Sequence, residues 1–229
     1  MVYEITDASR VFSLFDGWEE TMIYSCLQGI MGKLYSSELL YSSEPPASAM
    51  AVLGDFTFFA GRVNRELVAF KPEGCKQDFM IMVGQNKDWQ NAITEYYGPR
   101  ARVVSRYAFK KEPGAFDRNA LEAAADTLPP GFSRDLIDEP LYHLCRSRAW
   151  SFDLVSQFHD YEEYRRLGLG VVIRREKEIV SGASSYSRYR NGIEIEVDTR
   201  EDHRRQNLAY ICGARLILEC LNRGLYPSW

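Results

Sequence analysis

The stretch GIEIEVDTREDHRRQNLAYICGARLILECLNRG (192–224) combines the pattern of a strand, a short polar turn and the pattern of a helix. Over residues 193–198 apolar side chains alternate with acidic ones, a period of two that predicts a half-buried strand. Residues 199–203 form a charged turn, with Asp202 available as an N-cap. Residues 207–221 are apolar on nearly all sides, which predicts a helix largely buried in a domain. The stretch is therefore a strand–turn–helix unit.

The turn meets the predicted helix at the hexapeptide RRQNLA (204–209). The first backbone N–H groups of a helix have no acceptor within the helix, and the helix dipole places partial positive charge there. The side chains of Arg204 and Arg205 add charge at the same place. The sequence therefore predicts an anion site, with phosphate as the favoured ligand. The alternative is an ordinary pair of solvated arginines.

This hexapeptide resembles the acyl-CoA-binding motif of the GNAT superfamily of N-acetyltransferases, Gln/Arg-x-x-Gly-x-Gly/Ala at a strand-to-helix turn. Arg204 stands at the first position, Asn207 at the fourth and Ala209 at the sixth. The fourth position is usually glycine, and asparagine is the residue that next best tolerates a crowded or left-handed backbone.

Other parts of the chain, from Phe15 onward, resemble the branch of the superfamily that includes zwittermicin A resistance acetyltransferases. The stretches that carry this resemblance are SCLQGIMG (25–32), GDFTFFAG (54–61) and LILECLNRGLYPSW (216–229). The order of predicted elements is also similar to the GNAT core: helices, then three consecutive antiparallel strands, then the loop and helix.

The resemblance implies that acetyl-CoA is the co-substrate. It assigns the pyrophosphate to the loop and helix start, through backbone N–H groups and the arginine side chains. The residues concerned are Arg204, Arg205, Gln206, Asn207, Leu208 and Ala209. The backbone of Val197 and Thr199 is implied to bind the acyl-pantetheine arm and the thioester carbonyl. Transfer in the family is direct, within a ternary complex, so positioning is the main catalytic resource.

Direct transfer requires a neutral amine, so an ammonium acceptor needs a general base. Glu196 is the first candidate and Glu194 the second, because both flank the site on the same strand. The strand alternation equally allows both to be solvated carboxylates on the outer face, and a bulge in the strand would move one inward. His203, just before the loop, is expected on the loop surface.

The N-terminal half shows alternating strand and helix patterns up to about residue 110, which predicts an α/β arrangement. The charged segment KKEPGA (110–115) is the best linker candidate. We therefore divide the chain into an N-terminal α/β subdomain (1–112) and a GNAT-like acyl-CoA-binding domain (113–229). The fold class is α/β, mixed with α+β, and no internal repeat is visible in the sequence.

Local patterns predict the remaining elements. One or two strands are predicted at 49–60, around Gly54 and Asp55, and further strands at 67–70, 79–83, 101–109, 170–174 and 179–189. Helices are predicted at 17–32, 88–97, 116–128, 134–145, 151–158 and 161–167. The small residues of 181–183 would let a ligand or a neighbouring strand approach closely.

The sequence ends at residues 225–229, where the family has the start of a fifth strand. In the family, a helix and two further strands follow, complete the acyl-CoA cleft and usually supply a tyrosine as general acid. The resemblance therefore implies that the C-terminal part of the GNAT core is missing. A homo-oligomer, in which a neighbouring chain completes the sheet, is one way to supply it.

Composition limits the class of protein and its partners. The 229 residues are 45% hydrophobic and carry a formal net charge of −4, which suits one large or two small globular domains. No segment is both long and basic, so nucleic acid is not an expected partner. No apolar run approaches ~18 residues and the N-terminus lacks the apolar region of a signal peptide, so we expect no membrane partner and a cytoplasmic location.

Cysteines and histidines give no sign of a disulfide framework or a metal site. The five cysteines are Cys26, Cys75, Cys145, Cys212 and Cys220. They form no CxxC pair and are predicted to be buried free thiols. The three histidines have no metal-ligand spacing, so no metal is expected.

We therefore predict an acyl-CoA-dependent N-acetyltransferase that acts on an amine of a small molecule, with an antibiotic among the candidates by analogy with the zwittermicin branch. One alternative is a non-catalytic acyl-CoA-binding or ligand-sensing module that kept the anion loop. Another is an oligomeric scaffold. The sequence has no Gly-x-Ser-x-Gly, P-loop or Rossmann glycine fingerprint, which argues against a hydrolase, an NTPase and a dehydrogenase.

Overall fold

The computed structural model describes residues 1–38, 44–72, 79–112 and 114–229. Its contacts divide the chain into an N-terminal unit, Met1–Tyr107, and a C-terminal unit, Ala108–Trp229. Each unit contains one five-stranded sheet with helices packed on it. This mixed architecture confirms the predicted fold class.

The N-terminal unit has five strands: β1 (Tyr3–Ile5), β2 (Lys33–Ser36), β3 (Ser48–Leu53), β4 (Phe56–Gly61) and β5 (Ile81–Gly84). They lie in the sheet in the order β1-β2-β3-β4-β5. Neighbouring strands are antiparallel from β1 to β4, and β5 is parallel to β4. The β3–β4 hairpin turns at Gly54, whose φ of 59° suits glycine.

The helices of the N-terminal unit are a 3-10 helix (Ala8–Phe15), α1 (Thr21–Leu27), α2 (Arg65–Ala69) and α3 (Lys87–Tyr97). Adjacent residues of β4 show that both faces of the sheet are covered. The ring of Phe58 packs against Trp18, between the 3-10 helix and α1, and the ring of Phe59 stacks on Trp89 of α3. Asn86 caps α3 by accepting hydrogen bonds from two first-turn N–H groups.

The C-terminal unit also has five strands: β6 (Phe132–Leu136), β7 (Gly170–Arg175), β8 (Glu178–Tyr189), β9 (Gly192–Thr199) and β10 (Tyr226–Ser228). Their order in the sheet is β10-β9-β8-β7-β6. Neighbouring strands are antiparallel from β6 to β9, and β10 is parallel to β9. The three antiparallel strands and the start of a further strand are therefore where the sequence predicted them.

The helices of the C-terminal unit are α4 (Arg118–Ala125), α5 (Glu139–Arg146), a 3-10 helix (Phe152–Leu154), α6 (Tyr161–Leu167), a second 3-10 helix (Glu201–His203) and α7 (Leu208–Asn222). The apolar side of α7 packs on one face of the sheet, against residues such as Ile173, Ile193 and Ile195. The opposite face receives Leu154, and a Cβ atom at Gly182 would lie 2.6 Å from its Cδ1 atom. The close approach at this point of β8 is thus made by a 3-10 helix, whereas the sequence had predicted a ligand or a neighbouring strand.

The two units share one order of elements, although no repeat is visible in the sequence. In each, a strand is followed by helical segments, three antiparallel strands, a helix and a last strand. The last strand is parallel to the fourth in each sheet. In addition, α3 follows the last strand of the first unit, and α4 precedes the first strand of the second.

Four predicted elements are wrong. Residues 134–145, predicted as one helix, are divided between β6 and α5, because 132–136 pairs along the edge of the sheet and Asp138 caps α5. Residues 67–70, predicted as a strand, lie at the end of α2. Residues 101–109, predicted as a strand, are irregular, and residues 151–158 form turns around a single 3-10 helix.

Within the described chain, no helix is long and apolar enough to cross a membrane. The cytoplasmic location stays a prediction. Four cysteines, at positions 26, 145, 212 and 220, are buried and free, as predicted, and burial raises the pKa of each thiol to about 12. Cys75 lies outside the described residues.

Candidate acyl-CoA site

The helix α7 begins at Leu208, and the residue that precedes it has a left-handed backbone. Asn207 is the N-cap, with φ 60° and ψ 12°, and its side chain makes no capping hydrogen bond. Arg205 also has a positive φ, of 60°. Asparagine is one of the few residues that adopt this conformation readily, which explains why it can replace the usual glycine of the motif. The prediction that Asp202 caps the helix is wrong.

The N–H groups of this loop are available to a ligand. Along α7, the bond from the Ile211 N–H to the Asn207 carbonyl, at 3.0 Å, is the first of the helix. Within the described residues, no acceptor is found for the N–H groups of 205–209. Residues 204–207 are exposed, whereas Leu208 is buried in the core and anchors the start of the helix. Exposed N–H groups without an acceptor at the start of a helix are the kind of donor that anion sites in proteins use.

The two arginines of the loop differ in what they contact. The Nε atom of Arg204 donates a hydrogen bond of 3.2 Å to the carbonyl oxygen of Thr199, at the end of β9. Arg205 forms no hydrogen bond or ion pair within the described part of the chain. Arg204 therefore joins the loop to the strand, and Arg205 leaves its charge available.

Hydrogen bonds on both sides of β9 show which neighbour each residue faces. The N–H of Arg200 donates to the carbonyl of Val180 in β8, at 2.9 Å, and the N–H of Tyr226 in β10 donates to the carbonyl of Asn191, at 2.8 Å. Backbone groups of successive residues point to alternate sides of a strand. Even-numbered residues of β9 therefore face β8, and odd-numbered residues face β10.

The pairing with β10 ends at Ser228, opposite Glu194. The backbone groups of Val197 and Thr199 therefore face a side of β9 on which no described strand pairs with them. For Thr199 these groups are engaged: its N–H donates to Oδ1 of Asp198, at 2.6 Å, and its carbonyl accepts from the loop arginine. Val197 is the better placed of the two predicted residues to bind an acyl-pantetheine arm.

The predicted glutamates share the face of β9 that lies opposite α7. Because Ile193 and Ile195 pack on α7, the alternation directs Glu194 and Glu196 toward the face on which the 3-10 helix Phe152–Leu154 lies. Both are half-exposed. The pairing irregularity near them lies in β8, where Tyr186 is the extra residue, so β9 itself keeps its alternation.

His203 is buried rather than exposed on the loop, so the prediction for it is wrong. The 3-10 helix turns its ring inward, 6.2 Å from the ring of Phe132. Its Nδ1 atom lies 2.9 Å from Oδ1 of Asp202 and 3.3 Å from the guanidinium of Arg200. Its Nε2 atom is buried and has no hydrogen-bond partner within the described residues.

Arg200 and Asp202 stabilise the turn between β9 and the loop. The sequence did not predict this pairing. The guanidinium of Arg200 forms two hydrogen bonds with the carboxylate of Asp202, at 2.7 and 3.1 Å. These bonds first, and His203 second, lower the pKa of Asp202 to about 2. The spacing of Arg200 and Asp202, two residues apart in a short charged turn, was the available signal.

The fold and the loop define an acetyltransferase of the GNAT type. Residues 12–229 match the GNAT acetyltransferase family, so the chain belongs to that family, whose general activity is acyl-CoA-dependent acetyl transfer. One relative, the uncharacterized N-acetyltransferase YdfB of Bacillus subtilis (strain 168), is 24% identical over 230 residues, which span 96% of this chain and 84% of the relative.

Two solved structures are similar to this one. A GCN5-related N-acetyltransferase-like protein from Streptococcus suis 89/1591 has a TM-score of 0.88 and 46% identity, over 97% of this chain and 87% of that chain. A tandem GNAT protein from the clavulanic acid biosynthesis pathway, solved without AcCoA, has a TM-score of 0.52 and 10% identity, over 100% of this chain and 89% of that chain. The second likeness is one of fold alone.

No group of three His, Cys, Asp or Glu side chains that could hold a metal is present among the described residues.

Proposed function

We propose that the protein transfers an acetyl group from acetyl-CoA to an amine of a small molecule, by direct attack within a ternary complex. The observation that carries this proposal is that, among the described residues, the N–H groups of 205–209 have no acceptor. They lie beside the side of β9 that, beyond Glu194, pairs with no described strand. Acetyl-CoA needs a place for a pyrophosphate and a place for an extended arm that forms hydrogen bonds. In the C-terminal unit these two features adjoin each other.

The pyrophosphate is assigned to the N–H groups of 205–209, with the side-chain charge of Arg205. Such a site combines several donors with the positive end of the α7 dipole. Arg204 supports the binding differently, because its bond to Thr199 holds the loop against the strand. The N–H and carbonyl of Val197 are the groups that bind the arm, in the way that an added strand pairs with a sheet edge.

Bound acetyl-CoA supplies an acyl group activated as a thioester. The amine nitrogen of the acceptor forms the new amide bond and loses a proton as the thiolate of coenzyme A leaves. An ammonium acceptor must first lose another proton, to become the neutral amine that attacks. Glu196 is the first candidate to accept that proton and Glu194 the second. Their shared orientation, away from α7, supports a position for the acceptor on the face of β9 opposite the α7 core.

The acceptor is proposed to be cationic at neutral pH. Three carboxylates project from this face, those of Glu194, Glu196 and Asp198, and all three are half-exposed. Negative charge concentrated on one side of a strand attracts an ammonium group and disfavours an anionic acceptor. An aminated antibiotic, by analogy with the zwittermicin A resistance branch, fits this requirement.

Two measurements test the proposal together. Calorimetric titration with acetyl-CoA should show binding, and release of free thiol from acetyl-CoA should depend on an amine chosen from a panel of small cationic amines. Binding without amine-dependent thiol release would instead support the non-catalytic acyl-CoA-binding module. Absence of binding would leave the oligomeric scaffold, and the proposal would be wrong.

A further inference from the structure

The N-terminal unit has the same order of elements as the C-terminal unit. The position in it that corresponds to the candidate acyl-CoA site can therefore be identified. The strand β4 corresponds to β9, the helix α2 to α7, and the strand β5 to β10. In both units the helices before the second strand and the helix after the fourth lie on opposite faces of the sheet. We call the place where the two parallel strands cease to pair the strand gap: after Phe59 in the N-terminal unit and after Glu194 in the C-terminal unit.

We propose that the chain contains two copies of one fold and that the C-terminal copy alone binds coenzyme A. In the N-terminal copy, Gln85 and Asn64 block the position that corresponds to the acyl-CoA site. This inference rests on the proposed function of the C-terminal site. It assigns a role to residues that the acetyl-transfer proposal does not use.

The strand gap of the N-terminal unit is filled by side chains. The side-chain oxygen of Gln85 accepts a hydrogen bond of 3.0 Å from the N–H of Gly61, and its side-chain nitrogen donates one of 2.7 Å to the carbonyl of Leu14. The carbonyl of Gly61 accepts a hydrogen bond of 2.9 Å from the indole N–H of Trp89. Both backbone groups that an acyl arm would use are therefore occupied.

The helix start of the N-terminal unit is also closed. The side-chain oxygen of Asn64 accepts hydrogen bonds from the N–H groups of Glu66 and Leu67, at 2.9 and 3.4 Å. The corresponding asparagine of the C-terminal unit, Asn207, makes no such bond. The same residue type thus caps one helix with its side chain and leaves the other open by adopting a left-handed backbone.

The corresponding positions of the two units also differ in the charged side chains around them. Beside the closed gap lies a cleft of about 500 Å³ lined by Arg62, Arg65, Asp88 and Glu95, among other residues. Arg65 is paired with Glu95 at 2.9 Å and Arg62 with Glu38 at 3.8 Å. A pyrophosphate in this cleft would lie beside carboxylates, whereas Arg205 in the C-terminal unit has no acidic partner within the described residues.

The test is a calorimetric titration of the full chain with coenzyme A, in the wild type and two matched arginine variants. We expect one coenzyme A per chain, an affinity that falls about 10- to 100-fold in Arg205→Ala, the range of a lost charged hydrogen bond, and no change in Arg62→Ala. Circular dichroism checks that each variant is folded.

Two molecules of coenzyme A per chain would overturn the inference and leave the proposed function intact. Binding that persists in Arg205→Ala at wild-type stoichiometry and is removed by adding Arg62→Ala would overturn the inference, and it would also contradict the assignment of coenzyme A to the loop 204–209. No binding of coenzyme A to the wild type would contradict the proposed function itself, and the inference with it.

Discussion

The Nε atom of Arg204 lies 3.2 Å from the carbonyl oxygen of Thr199 and donates a hydrogen bond to it. This bond joins the first residue of the loop 204–209 to the last residue of β9. The two neighbouring arginines therefore differ in their contacts: Arg204 joins the loop to β9, and we propose that Arg205 supplies charge to a bound pyrophosphate.

The two arginines should respond differently to a conservative substitution. Lysine keeps the charge but loses the guanidinium geometry, so Arg205→Lys should retain most of the affinity for acetyl-CoA. Arg204→Lys should weaken it about as much as Arg204→Ala, roughly tenfold for one hydrogen bond to a neutral carbonyl. Titration calorimetry measures both, with Arg166→Ala, an exposed arginine of α6, as the control. Equal losses for the two lysine variants would contradict the division of tasks.

The left-handed backbone of Asn207 predicts which substitutions the loop tolerates. Asn207→Gly should bind acetyl-CoA as well as the wild type, because glycine adopts φ 60° without strain. Asn207→Val should lose about tenfold or more, because a β-branched residue in this conformation costs roughly 1–2 kcal/mol. Both variants should keep the wild-type far-ultraviolet circular dichroism. A valine variant that binds normally would show that the loop geometry is not required.

The glutamates of β9 are tested by isosteric replacement. If Glu196 is the base, Glu196→Gln should lower kcat about 100- to 10,000-fold and leave the affinity for acetyl-CoA unchanged. The residual rate should keep rising with pH, because the neutral share of the acceptor amine grows. The control is Glu201→Gln, an exposed residue of the turn. If kcat stays within about twofold of the wild type in Glu196→Gln, Glu194→Gln and the double variant, neither carboxylate is the base.

Buried thiols should make the native protein slow to react with Ellman's reagent. A pKa of about 12, raised from the ordinary value of 9.0 by burial, lowers the thiolate fraction at pH 8 by about a thousandfold. In Cys75→Ser, the four remaining cysteines should react only after denaturation, and reactivity in the folded state should rise toward pH 12. A rapid burst of even one thiol in the native variant would contradict the burial. A low background would also favour thiol release as the assay of turnover.

Much of the C-terminal unit could be predicted because its signals are local. The alternation of 193–198 identified β9, and the apolar run that follows identified α7. The start of α6 is also set locally, because Asp160 caps it by accepting a hydrogen bond of 2.9 Å from the N–H of Glu163. Strands were predicted less well where their formation depends on pairing with another strand. The edge strand β6 is polar at Arg134 and Asp135, and residues 101–109 alternate without pairing with another strand.

The site was predicted as a set of residues but not as a set of contacts. The sequence located the loop, yet it did not show that His203 points inward or that Arg204 is bonded to β9. Those outcomes depend on the path of the turn across the sheet. The repeated topology was invisible for a related reason, since the order and direction of strands can persist when no residues match.

A crystal structure of the full chain with coenzyme A is the most direct test of the proposed site. The predicted result is a pyrophosphate within about 3 Å of backbone nitrogens of residues 205–209, with the pantetheine arm paired to Val197 on the open side of β9. Coenzyme A bound elsewhere, or density showing this loop filled by the protein's own side chains while ligand is present, would contradict it.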